Sequence, residues 1–167
     1  MEMIKAVTPL TDEFVSTLKT GDRLLLSGEI FTARDAAIPK LVGLIEEDRL
    51  GDIDLKGKVI FHTAVSPAGV GPTSSNKLEI EENMGVLSEA GIKMHLGKGK
   101  ISQETIGILK EKNAVYAIMA PVTALLESKT KSRQVVAFPE LGMEAMHRLI
   151  VENFPVIIAS AKGTSVY

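Results

Sequence analysis

Residues 69–77 read GVGPTSSNK, and the rest of the chain is arranged around this stretch. It is small and polar, and it lies between an apolar segment, KVIFHTA at 58–64, and a segment of helical character, Leu78 to Ala90. Its two glycines and its proline let the backbone turn and allow another group to come close. Thr73 and Lys77 are four positions apart, so both side chains fall on one side of a helix or of an extended chain. A hydroxyl and a cation at a strand-to-helix junction suggest an anion-binding site.

Apolar segments of strand length alternate with segments of helical periodicity along the chain. Ser102 is suited to cap a helix that begins at Gln103, and residues 141–150 fit a helix or a helix leading into a strand. The alternation predicts an α/β fold in layers, with a mixed sheet that is at least partly parallel. We expect strands at 22–27, 58–64, 92–96, 114–120, 134–138 and 155–160, and helices at 34–47, 78–90, 103–112 and 122–127.

Composition narrows the class of protein. A chain of 167 residues is expected to form one domain, residues 1–167, and its net charge of -2 gives no reason to expect nucleic acid or a membrane as a partner. No apolar run is long enough to span a bilayer and residues 1–18 lack a signal-peptide pattern, so we expect a cytoplasmic location. The absence of cysteine excludes disulfides, zinc–thiolate sites and an iron–sulfur cluster held by this chain alone. The histidines, His62, His95 and His147, are expected to be core or surface residues rather than a metal site.

Three cations, Arg34, Lys77 and Lys98, each follow a strand-like segment closely. In open α/β sheets ligands bind beyond the carboxyl ends of strands, so these cations are candidates for binding a small di-anion. Arginine offers a planar fork for a carboxylate and lysine offers a point charge. The alternative is three unrelated solvated charges, which is the commoner state of lysine and arginine. Asp35 is either a catalytic carboxylate, a favourable charge at the start of a helix, or the group that orients Arg34.

Thr73 has two interpretations as well. Its side chain either donates or accepts a proton in catalysis, or it only caps a helix. As a proton acceptor it would need strong neighbouring cations, because an unperturbed hydroxyl is a poor base.

The stretch at 69–77 does not match a nucleotide phosphate loop. That pattern requires Gly-Lys followed by Ser or Thr, whereas here Asn76 precedes Lys77 and Leu78 follows it.

With these residues assembled, the chain resembles the β subunit, or the C-terminal domain, of the class I fumarase and L(+)-tartrate dehydratase group of iron–sulfur hydro-lyases. The resemblance covers essentially the whole chain, and it implies the swivelling β/β/α fold, a layered α/β domain with a mixed sheet. The segments that carry it occur in the family's order. They are Thr20-Gly21-Asp22 with Ser27-Gly28, Ala33-Arg34-Asp35-Ala36-Ala37, Gly71-Pro72-Thr73-Ser74, Gly97-Lys98-Gly99, and residues 140–145 followed by 152–155.

The resemblance implies an enzyme that reversibly hydrates fumarate to malate. It implies that a cysteine-containing α subunit binds a four-iron–four-sulfur cluster, while this chain supplies carboxylate-binding cations to the same site. It also implies αβ heterodimers that pair into a heterotetramer, and a homodimer for the isolated chain. By position, Arg34 resembles the family arginine that grips a carboxylate, Thr73 the threonine assigned a proton-transfer role, and Lys98 the lysine of the Gly-Lys-Gly turn.

Two positions depart from the family pattern, which usually has arginine at Lys77 and histidine at Ile38. A lysine replaces a bidentate contact with a point charge, and an isoleucine cannot transfer a proton. The sequence leaves three candidate functions. The first is a fumarate hydratase β subunit and the second an L(+)-tartrate dehydratase β subunit that yields oxaloacetate. The third is a non-catalytic dicarboxylate-binding domain. The two departures motivate the third, and nothing in the sequence separates malate from tartrate, which differ by one hydroxyl.

Overall fold

The structure, a computed structural model, describes residues 3–66, 69–73, 77–119 and 129–167, with side chains described there except between 64 and 80. Strands and helices alternate through these ranges, and this confirms the predicted α/β fold with a mixed sheet. The strands are β1 (Met3–Val7), β2 (Arg23–Thr32), β3 (Val59–Phe61), β4 (Thr63–Ser66), β5 (Gly69–Thr73), β6 (Met94–Gly97), β7 (Val115–Ile118), β8 (Thr130–Ala137), β9 (Met146–Ala161) and β10 (Thr164–Ser165). The helices are α1 (Asp12–Thr17), α2 (Ala37–Glu46), α3 (Lys77–Glu89), α4 (Gln103–Glu111) and a 3-10 helix (Pro139–Glu144).

The main sheet closes on itself. Strands β1, β2, β3, β6 and β7 pair in parallel, while the long strand β9 runs antiparallel to both β2 and β7. The pairings therefore run from β2 through β3, β6, β7 and β9 back to β2. One apolar cluster takes buried side chains from all five of these strands, so it fills the inner face of the circuit. It includes Leu24, Phe61, Leu96, Ala117 and Phe154.

Helices cover the outer face because alternate strand residues point outward. Phe31 of β2 and Ile60 of β3 pack with Leu41 of α2 and Leu87 of α3 in a second buried cluster. The predicted helix cap at Ser102 is confirmed, because its hydroxyl accepts from the backbone N–H of Thr105 at 3.2 Å. No helix in the described ranges combines the length and apolar character that a membrane span requires.

Two differences between the structure and the sequence prediction are the largest. Residues 69–73, expected to turn, form β5 and pair with β4 in a separate two-stranded sheet. Residues 146–161, expected to be part helix and part strand, form one strand of 16 residues, β9. Strand β9 depends on pairing with strands far away in the sequence, which local periodicity does not report, whereas β5 pairs with β4, the strand directly before it in the chain. The helix predicted at 122–127 lies outside the described residues.

Candidate active site at the carboxyl edge of the sheet

The parallel strands β2, β3, β6 and β7 end at the same edge of the sheet, called here the carboxyl edge. Their register aligns Thr32 with Phe61, Phe61 with Leu96, and Leu96 with Ala117. Side chains that follow these positions are therefore brought together although the sequence separates them widely. The candidate site is built on the segments that leave these four strands.

Two of the predicted cations lie on this edge. Arg34 comes two residues after the end of β2, and Lys98 comes directly after the end of β6. Strand β3 separates them, so their backbones lie two strand spacings apart, about 10 Å at roughly 4.8 Å per spacing. The Arg34 side chain is about three-quarters buried, with 25% of it exposed, and Lys98 is exposed. Side chains of this length can reach a common ligand across such a gap.

The backbone also brings Thr73 to the carboxyl edge. Thr73 is the last residue of β5 and pairs with Thr63, the first residue of β4. Thr63 lies two positions beyond the end of β3 and is fully buried, between the positions of Arg34 and Lys98. Lys77 is the first residue of α3. The side chains of Thr73 and Lys77 lie outside the described residues, so their roles stay predictions.

A carboxylate that the sequence analysis did not single out lies against Arg34. One oxygen of Glu144, Oε2, is 3.5 Å from a terminal nitrogen of Arg34. The other oxygen, Oε1, accepts the backbone N–H of Ala36 at 3.1 Å, at the start of α2. Glu144 ends the 3-10 helix, which itself lies against β4. Asp35 is half-buried two residues before α2. The carboxylate that accepts the N–H of Ala36, the N-cap of this helix, is that of Glu144 and not that of Asp35.

Two histidines lie behind the edge, between the sheet and the helices. The rings of His62 and His95 stack with their centroids 5.8 Å apart, and both side chains are fully buried, as expected of core residues. His95 Nε2 lies 2.9 Å from the hydroxyl of Ser88 in α3. Burial lowers the pKa of His95 well below its ordinary value, and the neighbouring His62 lowers it further. His95 is therefore neutral at physiological pH and contributes shape and a hydrogen bond.

The third histidine and the departing position Ile38 are also placed. His147 is buried at the start of β9, where its Nδ1 lies 2.9 Å from the carbonyl oxygen of Ala145. Its backbone N–H donates to the hydroxyl of Thr32 at 3.3 Å. Ile38 is buried in the outer apolar cluster beside Phe31 and Leu41. A buried isoleucine at this position packs the core of α2 and is not presented to solvent at the site.

The fold defines the chain as an α/β domain, and the cations and hydroxyl-bearing residues along the ends of its parallel strands make the carboxyl edge a candidate anion-binding site. Residues 1–167 match the family model described as Fumarase C-terminus. The chain belongs to the fumarase C-terminus family.

Three relatives show the two settings in which this kind of chain occurs. The "Putative L(+)-tartrate dehydratase subunit beta" of Methanocaldococcus jannaschii is 34% identical over 95% of this chain and 88% of that protein. The L(+)-tartrate dehydratase subunit beta of Escherichia coli is 29% identical over 92% of this chain and 80% of the subunit. The anaerobic class I fumarate hydratase of Escherichia coli is 31% identical over 92% of this chain but only 30% of that enzyme. The relatives are hydro-lyases, and the chain matches either a separate β subunit or about a third of a longer enzyme.

Proposed function

We propose that this chain is the β subunit of a heteromeric hydro-lyase that reversibly hydrates fumarate to malate. The observation that carries the proposal is the strand register. It places Arg34, the Thr63–Thr73 pair and Lys98 on three adjacent segments of one sheet edge. A four-carbon dicarboxylate has two anionic ends, and two cations flanking a pair of hydroxyl-bearing residues match that charge pattern. Residues 1–167 then form one domain, and the enzyme acts in the cytoplasm.

In this reaction water adds across the double bond, with the hydroxyl going to one carbon and the proton to its neighbour. The chain's part is to bind and orient the substrate. Arg34 receives one carboxylate, and its Nε–H is a buried donor without an acceptor among the described residues. Lys98 attracts the other carboxylate as a point charge. Thr73 is assigned to proton transfer by the family resemblance, and Asp35, next to Arg34, is the second candidate catalytic group.

The iron–sulfur cluster of the family does not fit this chain. Such clusters are held by cysteine thiolates, and the chain has no cysteine. Among the described residues, no group of three histidine, aspartate or glutamate side chains is arranged to hold a metal ion. We therefore assign the four-iron–four-sulfur cluster to a cysteine-containing α subunit that covers the carboxyl edge. The proposed assembly is an αβ pair that dimerises into a heterotetramer.

The proposal is tested by reconstitution without oxygen. The chain is purified together with the cysteine-bearing α subunit of the same source, and malate–fumarate interconversion is measured in both directions. The expected result is activity of the pair, with neither subunit active alone. A colourless β chain that binds dicarboxylates tightly by itself, and a pair without turnover, would favour the non-catalytic binding domain instead.

A second candidate, L(+)-tartrate dehydratase, is favoured by one specific observation. The tartrate dehydratase β subunits match over 80% to 88% of their own length, whereas the fumarate hydratase of Escherichia coli matches over 30%. The chain is thus aligned with most of the length of two proteins named as tartrate dehydratase β subunits. Initial rates with malate and with L-tartrate, measured on the same reconstituted enzyme, decide between the two. A specificity constant at least about tenfold higher for one substrate, a difference of about 1.4 kcal/mol in transition-state binding, identifies it.

A further inference from the structure

The turn that carries Lys98 is built around a buried tyrosine on the neighbouring strand. Tyr116 of β7 is 2% exposed, and its hydroxyl donates to the carbonyl oxygen of Gly99 at 3.0 Å. The same hydroxyl passes close to Gly97, where a Cβ would lie 3.0 Å from the oxygen and 3.2 Å from ring atom Cε1. One side chain therefore touches the residue before Lys98 and holds the residue after it.

These contacts explain both glycines of the Gly-Lys-Gly turn. A side chain at position 97 would crowd the Tyr116 phenol, so this position favours glycine. Gly99 has a φ of +74°, in the left-handed region that glycine adopts without strain. The two glycines therefore give the turn the backbone conformation in which the phenol hydroxyl binds the carbonyl oxygen of Gly99. Lys98 lies between them with its side chain exposed.

The far end of the turn is fixed by a second group. Glu81 of α3 accepts the backbone N–H of Ser102 at 2.7 Å and the hydroxyl of Thr105 at 2.7 Å through the same oxygen. The segment between Gly97 and Ser102 is thus anchored at both ends by side chains from other elements. A backbone that is ordered before ligand binding loses less conformational freedom when its lysine contacts an anion.

We propose that Tyr116 is a positioning residue that holds the Lys98 turn in the geometry in which Lys98 binds a substrate carboxylate. This inference rests on the function proposed above and adds to it a residue that touches no substrate. Burial raises the pKa of Tyr116, with Tyr167 and Glu81 adding to the rise, so the phenol stays protonated and remains a donor at physiological pH. Tyr116 acts on Lys98 through the backbone on both sides of it.

The first test is a double-mutant cycle in the reconstituted αβ enzyme. Tyr116→Phe removes only the hydroxyl, and we expect KM for the dicarboxylate to rise about three- to tenfold with kcat within about twofold of wild type. In a Lys98→Ala background the same change should have no further effect, because the residue that it positions is gone. Tyr167→Phe, at the other and largely exposed tyrosine, is the matched control and should leave KM unchanged.

An unchanged KM in Tyr116→Phe overturns the inference. So does an equal loss in the wild-type and Lys98→Ala backgrounds, because that pattern indicates a general structural effect.

The second test does not depend on activity. Backbone order parameters of the full chain should fall at residues 98–100 in Tyr116→Phe, from about 0.85 toward about 0.6, and stay unchanged in Tyr167→Phe. Unchanged order parameters in Tyr116→Phe contradict the inference whether or not the enzyme is active. The wild-type αβ pair could show no turnover while the order parameters still fall in Tyr116→Phe. That result would refute the proposed function and the binding of a dicarboxylate by Lys98, but it would support the role of Tyr116 in ordering the turn.

Discussion

Glu144 holds Arg34 from a position 110 residues further along the chain. Its two oxygens bind different partners: Oε2 lies 3.5 Å from the Arg34 guanidinium and Oε1 accepts the Ala36 N–H at 3.1 Å. The carboxylate thereby links the end of the 3-10 helix to the segment that leaves β2. Both side chains of the ion pair are only 25% to 30% exposed, so the contact limits where the guanidinium can point.

The first prediction concerns this contact. Glu144→Gln keeps the size of the side chain and an acceptor for Ala36 but removes the charge that orients Arg34. We expect KM for the dicarboxylate to rise about 1.4- to fivefold, which corresponds to the roughly 0.2–1 kcal/mol typical of an exposed ion pair. Initial rates of the reconstituted enzyme measure it.

Glu140→Gln is the control, because Glu140 lies exposed in the same 3-10 helix. A lower KM in Glu144→Gln would contradict the prediction, because it would mean that Glu144 competes with the substrate for Arg34.

The second prediction concerns the two cations of the carboxyl edge. Arg34→Ala and Lys98→Ala should each lower kcat/KM at least about tenfold, because a lost charge-assisted hydrogen bond costs about 1.5–3 kcal/mol. Arg34→Lys should recover only part of the loss, since an ammonium cannot replace a planar bidentate fork. Steady-state kinetics of the αβ enzyme give the values.

Lys100→Ala, at an exposed lysine two residues after Lys98, serves as the matched control and should behave as wild type. Near-normal rates in both Arg34→Ala and Lys98→Ala would remove the basis for a cation pair at this edge.

The fold class could be predicted because it depends on a local signal. Apolar segments of strand length alternate with helical segments, and the central parallel strands β3 and β6 are buried on both faces. The long strand β9 could not be predicted in the same way. Its residues 147–151 are paired on both sides, by β2 and β8, whereas Met146, Leu149 and Ile150 are also spaced as on one face of a helix. Only the partner strands decide between the two structures.

The candidate site shows the same division. Arg34 and Lys98 could be proposed as candidates because each lies within two residues of the end of a strand, and parallel strands end at one edge. Glu144 and Tyr116 could not be found, since their roles depend on contacts with residues far away in the sequence or on a neighbouring strand. The His62–His95 stack was missed for the same reason. One signal was present for Tyr116: two glycines around a lysine indicate that something approaches the backbone closely.

The third prediction concerns stability and pH. His95 is fully buried beside His62, and its pKa in the folded state is lowered well below its ordinary value. Below about pH 6.5 the unfolded chain takes up a proton at this position that the folded chain does not. The contribution of His95 to the free energy of unfolding should therefore be constant above that pH. Below it, this contribution should fall by at most about 1.4 kcal/mol per pH unit.

Urea unfolding of the chain between pH 7.5 and 5 measures the effect. His95→Gln keeps a hydrogen-bonding group near Ser88 but cannot titrate, so its stability should depend less on pH over the same range. Identical pH slopes in the two proteins would show that His95 does not carry this dependence.

The fourth prediction compares two glycines with opposite surroundings. Gly91, after α3, has a φ of +125°, and a Cβ there would lie 2.7 Å from the backbone Cα of Lys56. Gly91→Ala should therefore lower the free energy of unfolding by about 1–3 kcal/mol, through backbone strain and the close contact with the backbone of Lys56.

Gly107 lies in α4 with open space around its missing Cβ. Gly107→Ala should raise stability by about 0.5–1 kcal/mol, because alanine loses less backbone freedom in a helix. Chemical denaturation measures the change in the free energy of unfolding of both variants. An increase in Gly91→Ala would contradict the prediction, because the backbone of Lys56 would then have to move away without cost.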